Sequence, residues 1–152
     1  MGAADPSDIR NWQRRPDGIT TSGKLEPGDP ARLAAIGVQH VVNLALDEHP
    51  EALPGEAELL AAVGIGYTHI PVPFDAPTSE HVARLRDAIA AADGPIHVHC
   101  IMNYRVTAFM YLLDLEGGTP EPEARGRMTA VWNPPESDEP AARPWKRLIL
   151  KS

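Results

Sequence analysis

Pro95-Ile96-His97-Val98-His99-Cys100-Ile101-Met102-Asn103-Tyr104-Arg105-Val106-Thr107-Ala108-Phe109 reads as a buried strand, a four-residue loop and a helix entered at Arg105. The chain's only cysteine sits where the strand ends, and an arginine opens the helix. Such a junction is an anion site. Backbone N–H groups of the tight loop and of the first helical turn converge there, and the helix dipole adds positive potential. That field favours a thiolate at Cys100, which makes it a nucleophile near neutral pH. Arg105 supplies a planar fork that matches two oxygens of a phosphate or sulfate. Taken singly, Cys100 reads more simply as a small buried hydrophobe and Arg105 as an ordinary first-turn residue. The combination of His99-Cys100 closing a strand, Arg105 just beyond, and an apolar helix after it favours a chemical site.

Upstream of this stretch, Thr78 predicts an N-cap, and Val82, Leu85 and Ile89 recur at helical spacing before Asp93-Gly94 turns the chain. Gly66 to Val72 predicts a strand whose Pro71 places its end near an edge or exit rather than mid-ladder. Glu56 to Val63 predicts a short helix. Val38 to Leu46, centred on Val41-Val42-Asn43-Leu44, predicts a parallel strand buried on both faces. Asp29 as N-cap with Pro30 after it opens a further helix that Gly37 ends. Gly18-Ile19-Thr20-Thr21-Ser22-Gly23 predicts a short strand. Residues 1–16 predict a cap segment, with Ile9 and Trp12 on one face of a short helix. Downstream, the helix from Arg105 to about Leu115 is apolar nearly all round, and residues 120–132 predict another. Residues 133–144 predict a proline-rich, acidic, irregular connection, and 145–152 a C-terminal docking segment.

Strand and helix patterns alternate, which predicts an α/β fold: one domain over 1–152 with a mostly parallel central sheet of four to five strands flanked by helices. In such a sheet, ligands bind outside the carboxyl ends of the strands. The loops leaving those ends are 45–54, 73–77 and 100–104, and the last carries Cys100.

Composition bounds the function classes. At 152 residues the chain is long enough for one core. Its 43% hydrophobic content and mean hydropathy of -0.26 are those of a globular chain without a membrane-spanning run. A formal net charge of -7 argues against nucleic acid or an anionic membrane as partner. A lone cysteine predicts no disulfide framework and suits a reducing compartment. Met1-Gly2-Ala3-Ala4-Asp5-Pro6 shows no secretory pattern, so a cytoplasmic location is expected. Two histidines near one cysteine invite a zinc reading, but His97 lies a pleat repeat away and no second thiol exists, so no metal site is expected. Oligomeric state is unreadable.

Several stretches agree with one another: Thr21-Ser22-Gly23, Val41-Val42-Asn43-Leu44, Ala52-Leu53-Pro54-Gly55-Glu56, Ala76-Pro77-Thr78 and, above all, His99 to Phe109 with Cys100 and Arg105. From about Ile19 to Leu113 the chain resembles the cysteine-dependent protein tyrosine phosphatase superfamily. More narrowly it resembles small bacterial phosphatase-like proteins with a short Cys-x4-Arg loop, relatives of the beta-lactamase hydrolase-like phosphatases. The resemblance implies a tyrosine-phosphatase-like fold and hydrolysis of phosphomonoesters, as a tyrosine or dual-specificity phosphatase, through a cysteinyl-phosphate. The substrate would be a phosphorylated protein or a small phosphomonoester, with no cofactor. Cys100 would be the nucleophile. Ile101, Met102, Asn103, Tyr104 and Arg105 would bind phosphate, and Asp75 would be the acid, with Glu56 as the alternative. His99 and Thr107 would support the loop from behind.

Three departures from the superfamily stand out. The loop is one residue shorter than usual. It lacks glycine, so Asn103 is the member best suited to a left-handed conformation. Val106 stands where a Ser or Thr commonly follows the arginine. Two other functions are open. A rhodanese-like sulfurtransferase shares the strand-end cysteine and the shorter loop. A phosphate-binding pseudo-phosphatase would recognise phosphorylated partners without turnover.

Overall fold

The computed structural model describes residues 3–151. Its centre is a five-stranded sheet of β1 (Gln13–Arg14), β2 (Thr20–Ser22), β3 (His40–Asn43), β4 (Gly66–His69) and β5 (Ile96–His99), in the order β1-β2-β5-β3-β4. β1 runs antiparallel to β2, and every other pairing is parallel. The α-helices among the described residues are α1 (Asp29–Ala35), α2 (Glu56–Ala62), α3 (Ser79–Ala91), α4 (Tyr104–Glu116), α5 (Glu121–Thr129) and α6 (Arg143–Leu150). None is long and apolar enough to cross a membrane.

Side-chain alternation along the strands sorts the molecule into three layers. Val42 and Val98 share one sheet face and pack with Leu85 of α3, Phe109 of α4, Met128 of α5 and Trp145 of α6. Val41 shares the other face and packs with Ile9, Leu33 of α1 and Leu60 of α2. On that second face the register places Ser22, His99, Asn43 and His69 in one row at the carboxyl ends of the parallel strands. Polar side chains therefore gather at the end where such sheets bind ligands.

Some elements differ from the sequence expectation. Residues 3–16 form turns and β1 rather than a short helix, Met1 and Gly2 lying outside the described residues: Asn11 sits at φ 51°, outside helical backbone, and Gln13–Arg14 pairs with β2 instead. Ile9 is still buried, and Trp12 stacks on His97 at 5.2 Å. α1 begins at Asp29 with Gly28 as its cap, and the Asp29 carboxylate accepts the Glu26 N–H at 2.7 Å. The apolar run 38–46 supplies only four residues of strand, because β3 gives out where its neighbours end. Thr78 caps α3, its hydroxyl accepting the His81 N–H while His81 Nδ1 accepts the Thr78 N–H at 3.1 Å. The 133–144 stretch holds two short 3₁₀ turns, at Pro134–Glu136 and Pro140–Ala142, and α6 already starts at Arg143.

The antiparallel edge is tied to the central helix by buried charge. Arg15 reaches both carboxylate oxygens of Asp114 in α4, and Arg127 of α5 meets the same carboxylate at 3.2 Å. Arg15 is otherwise left with Asp17, which is half exposed. Breaking a buried pair from one side strands the other charge. Asp114→Asn is therefore expected to lower stability to urea by about 3–5 kcal/mol, with Arg15→Met combined with Asp114→Leu recovering much of the loss. Equal stability of Asp114→Asn and wild type would show that the pair carries no weight.

Candidate active site

The loop from Cys100 to Asn103 leaves the central strand β5 and enters α4 at Tyr104. Asn103 takes the left-handed conformation at φ 68°, a position where the chain has no glycine and where asparagine is the best-tolerated substitute. Every carbonyl from Cys100 to Tyr104 is engaged. The Cys100 carbonyl accepts from His99 Nδ1 at 3.1 Å, and that of Ile101 from the Lys24 N–H at 2.9 Å and from Arg10 Nη1 at 3.4 Å. The Met102 carbonyl accepts from Asn11 Nδ2 at 2.9 Å, that of Asn103 from the Thr107 N–H and hydroxyl, and that of Tyr104 from Trp132 Nε1 at 3.1 Å.

The N–H groups of residues 101–106 find no acceptor among the described residues. In a trans peptide the N–H points opposite to the C=O, so pegging the carbonyls of 100–103 outward fixes the N–H groups of 101–104 on the other side. Those of Arg105 and Val106 belong to the first turn of α4 and point back toward the loop. Buried amides without acceptors are costly, and here they form a ready nest for an oxyanion.

Arg105 adds charge to the nest. It is 6% exposed, its Nε donates to the Val72 carbonyl at 2.8 Å, and its guanidinium lies 5.1 Å from the Phe74 ring centroid. No carboxylate among the described residues pairs with it, so both Nη groups remain available. Cys100, at the other end of the loop, is fully buried. The segment that carries Asp75 is thus bound to Arg105 through Val72 and Phe74. The Asp75 carboxylate itself is exposed and has no hydrogen bond or ion pair to the described residues.

Behind the loop the histidines are fixed. Ser22 Oγ donates to the Gly23 carbonyl at 2.9 Å, so it must accept from His97 Nε2 at 2.8 Å. His97 Nδ1 then accepts from the Thr20 hydroxyl at 2.8 Å. His97 is wholly buried, and burial, reinforced by nearby His99, holds it well below the usual imidazole range. His97 and His99 share a face, their rings 6.2 Å apart. His99 Nε2 lies 2.6 Å from a Glu56 carboxylate oxygen. Glu56, the alternative acid, is buried with its carboxylate against His99. Thr107 likewise spends its hydroxyl on the Asn103 carbonyl at 2.9 Å.

Sequence reasoning missed the groups that peg the loop from outside: Arg10, Asn11, Lys24 and Trp132. Gly23 carried a signal whose reason is now visible. A Cβ there would lie 2.4 Å from the Ile101 carbonyl oxygen, so only glycine lets β2 pass this close to the loop. A separate cleft of about 810 Å³ between β4 and α3, lined by Thr68, Ile70, Arg84 and Ala88 among others, contains none of the loop residues.

Residues 13–113 match the profile of the phosphatase-like domain of beta-lactamase hydrolase-like protein. The chain belongs to this phosphatase-like family. A candidate phosphatase from Shewanella putrefaciens has the same fold at a TM-score of 0.82 with 31% identity, over 97% of this chain and 93% of its own. TpbA of P. aeruginosa aligns at a TM-score of 0.71 with 20% identity, over 99% of this chain and 89% of its own. The core catalytic domain of the S. cerevisiae PP-IP phosphatase Siw14 aligns at 0.71 with 13% identity, over 94% of this chain and 93% of its own. The latter two show a shared tyrosine-phosphatase-like fold. No curated protein matches. The matched span of the beta-lactamase hydrolase-like phosphatase family includes the whole loop and Asp75, and ends before Trp132 and Trp145.

Two measurements follow from this geometry. Gly23→Ala is expected to displace the Ile101 carbonyl and weaken inorganic phosphate binding at least tenfold, about 1.4 kcal/mol, with the circular dichroism of the fold retained. Unaltered phosphate affinity would show that the loop does not depend on that approach. His97 stays neutral in the folded protein, whereas in the unfolded chain it takes a proton below about pH 6.5. Stability should therefore fall as pH drops through that value, by up to about 1.4 kcal/mol per unit from this residue, and His97→Gln should reduce that slope.

Proposed function

We propose that this protein hydrolyses phosphate monoesters through a cysteinyl-phosphate intermediate. The observation that carries this reading is the set of acceptor-free N–H groups of residues 101–106, on the loop that leads into an Arg105 with no carboxylate partner among the described residues. Backbone dipoles together with an unneutralised guanidinium favour a dianion. They favour still more the planar, spread charge of a phosphoryl group in transit.

In the first step the Cys100 thiolate attacks phosphorus. The S–P bond forms, the ester P–O bond breaks, and its electron pair leaves on oxygen, which takes the proton of Asp75. In the second step water attacks phosphorus and gives its proton to the Asp75 carboxylate. The S–P bond then breaks, returning the thiolate and releasing phosphate. Arg105 holds two of the three equatorial oxygens throughout, and the N–H groups of 101–106 surround all three. His99, gripped by Glu56, keeps the Cys100 carbonyl turned away from the nest. Thr107 does the same for Asn103. The substrate class is a phosphorylated protein or small phosphomonoester. A TpbA variant has been solved in complex with phosphotyrosine, which supports including aryl phosphates.

Hydrolysis of p-nitrophenyl phosphate across pH tests the reading. Cys100→Ser should abolish turnover while inorganic phosphate still binds. Arg105→Lys should lower kcat by about 10²–10³. Asp75→Asn should alter the profile on its basic side, where the acid form is needed, with a modest loss of rate for this good leaving group. Turnover that survives Cys100→Ser would sink the proposal. Phosphate binding by a wild type without turnover would assign the nest to recognition instead.

A further inference from the structure

The C-terminal segment closes around the residue that precedes Asp75. Phe74 is the hub. The Arg105 guanidinium lies over its ring, Trp145 of α6 stands 5.4 Å away and Trp132 5.7 Å away, centroid to centroid. Trp145 is fully buried and packs on Phe109 of α4 as well, at 5.4 Å. Trp132 lies flat on Tyr104, with rings 4.5 Å apart and 6° from parallel.

Packing alone would fill this space with any large apolar side chain. The indole N–H groups do something more specific. Trp145 Nε1 donates to the Phe74 carbonyl at 2.7 Å, and Trp132 Nε1 donates to the Tyr104 carbonyl at 3.1 Å. Each accepting carbonyl belongs to the peptide unit that leads into a residue of the site: Phe74 into Asp75, Tyr104 into Arg105. Because the peptide is planar, holding the carbonyl fixes the N–H of the next residue and the direction in which its Cα leaves. The 72–78 segment has little regular hydrogen bonding of its own before the Thr78 cap, and Asp75 makes none through its side chain.

We propose that Trp145 is a positioning residue for the general acid: its indole N–H sets the peptide plane from which Asp75 projects toward the leaving group. The inference rests on the reading of Asp75 as the acid. The residues that do this holding come from the far end of the chain, beyond the matched span 13–113. An acid held in place acts at each encounter, whereas an acid on a loose loop loses the orientation that makes proton transfer effective.

The test is a series of aryl phosphates whose leaving phenols rise in pKa from p-nitrophenol to phenol. Good leaving groups need little help from an acid and poor ones need much, so the slope of kcat/KM against leaving-group pKa reports the acid alone. Wild type should give a shallow slope. Trp145→Phe keeps a ring in the core and deletes the donor. It should steepen the slope, so that phenyl phosphate loses about tenfold more than p-nitrophenyl phosphate, while phosphate affinity is retained. Trp132→Phe, whose donor serves the Tyr104 carbonyl of the phosphate loop instead, should lower the rate with every ester alike and so leave the slope as it is. Where Trp145→Phe fails to fold, 3-benzothienylalanine at position 145 replaces the N–H by sulfur at constant ring shape and makes the same measurement. A slope unchanged in the Trp145 variant, or steepened equally in Trp132→Phe, overturns the proposal. Asp75→Asn in the same series separates the two ideas. If it leaves the slope shallow, the acid assignment itself falls. If it steepens the slope and Trp145→Phe does not, only the role of Trp145 falls.

Discussion

A peptide loop can present its N–H groups to an anion only if something else holds its carbonyls away. Between Cys100 and Tyr104 that holding is done entirely from outside the loop: by His99, by Lys24 and Arg10, by Asn11, by Thr107 in the next helical turn, and by Trp132. These donors come from the N-terminal turns, the exit of β2, the end of β5, α4 and the C-terminal segment. The loop is a meeting point of the whole chain, and its unpaired amides are tolerated because so many neighbours fix their direction.

The shortness of the loop makes this external support necessary. With no glycine among Ile101, Met102, Asn103 and Tyr104, the one left-handed turn falls to Asn103. Its side-chain amide reaches Asn11 and Thr21. Asn11, itself at φ 51°, returns a bond to the Met102 carbonyl. Asn103 thus holds the Asn11 carbonyl while Asn11 holds the Met102 carbonyl. The glycine missing from the loop reappears on its neighbour, where Gly23 lets β2 approach the Ile101 carbonyl.

The polar row behind the loop carries its own constraint. Burying imidazoles and a carboxylate beneath an apolar sheet is costly unless each polar atom finds a partner. Thr20 and Ser22 take both nitrogens of His97, and Glu56 with the Cys100 carbonyl takes both of His99. These bonds tie β2, β5 and α2 together directly under the loop, so the rigidity of the site is the rigidity of the sheet.

The alternation of apolar strands with amphipathic helices fixed the α/β class and the mostly parallel sheet. Local chemistry also marked the Thr78 cap and Asn103 as the left-handed member of the loop. These are short-range properties: periodicity, capping and backbone preference are written in neighbouring residues. Other features were illegible for the opposite reason. The strand pairing of Gln13–Arg14 in place of a helix, the burial of Glu56 against His99, and the close pass of Gly23 by Ile101 all depend on partners far off in sequence. So does the grip of Trp145 on the Phe74 carbonyl, which joins positions 71 residues apart. The sequence determined that a cysteine, a four-residue loop and an arginine follow one another at the end of β5. Tertiary structure decided which way the loop's amides face, because a carbonyl's direction is set by whichever donor the folded chain brings to it.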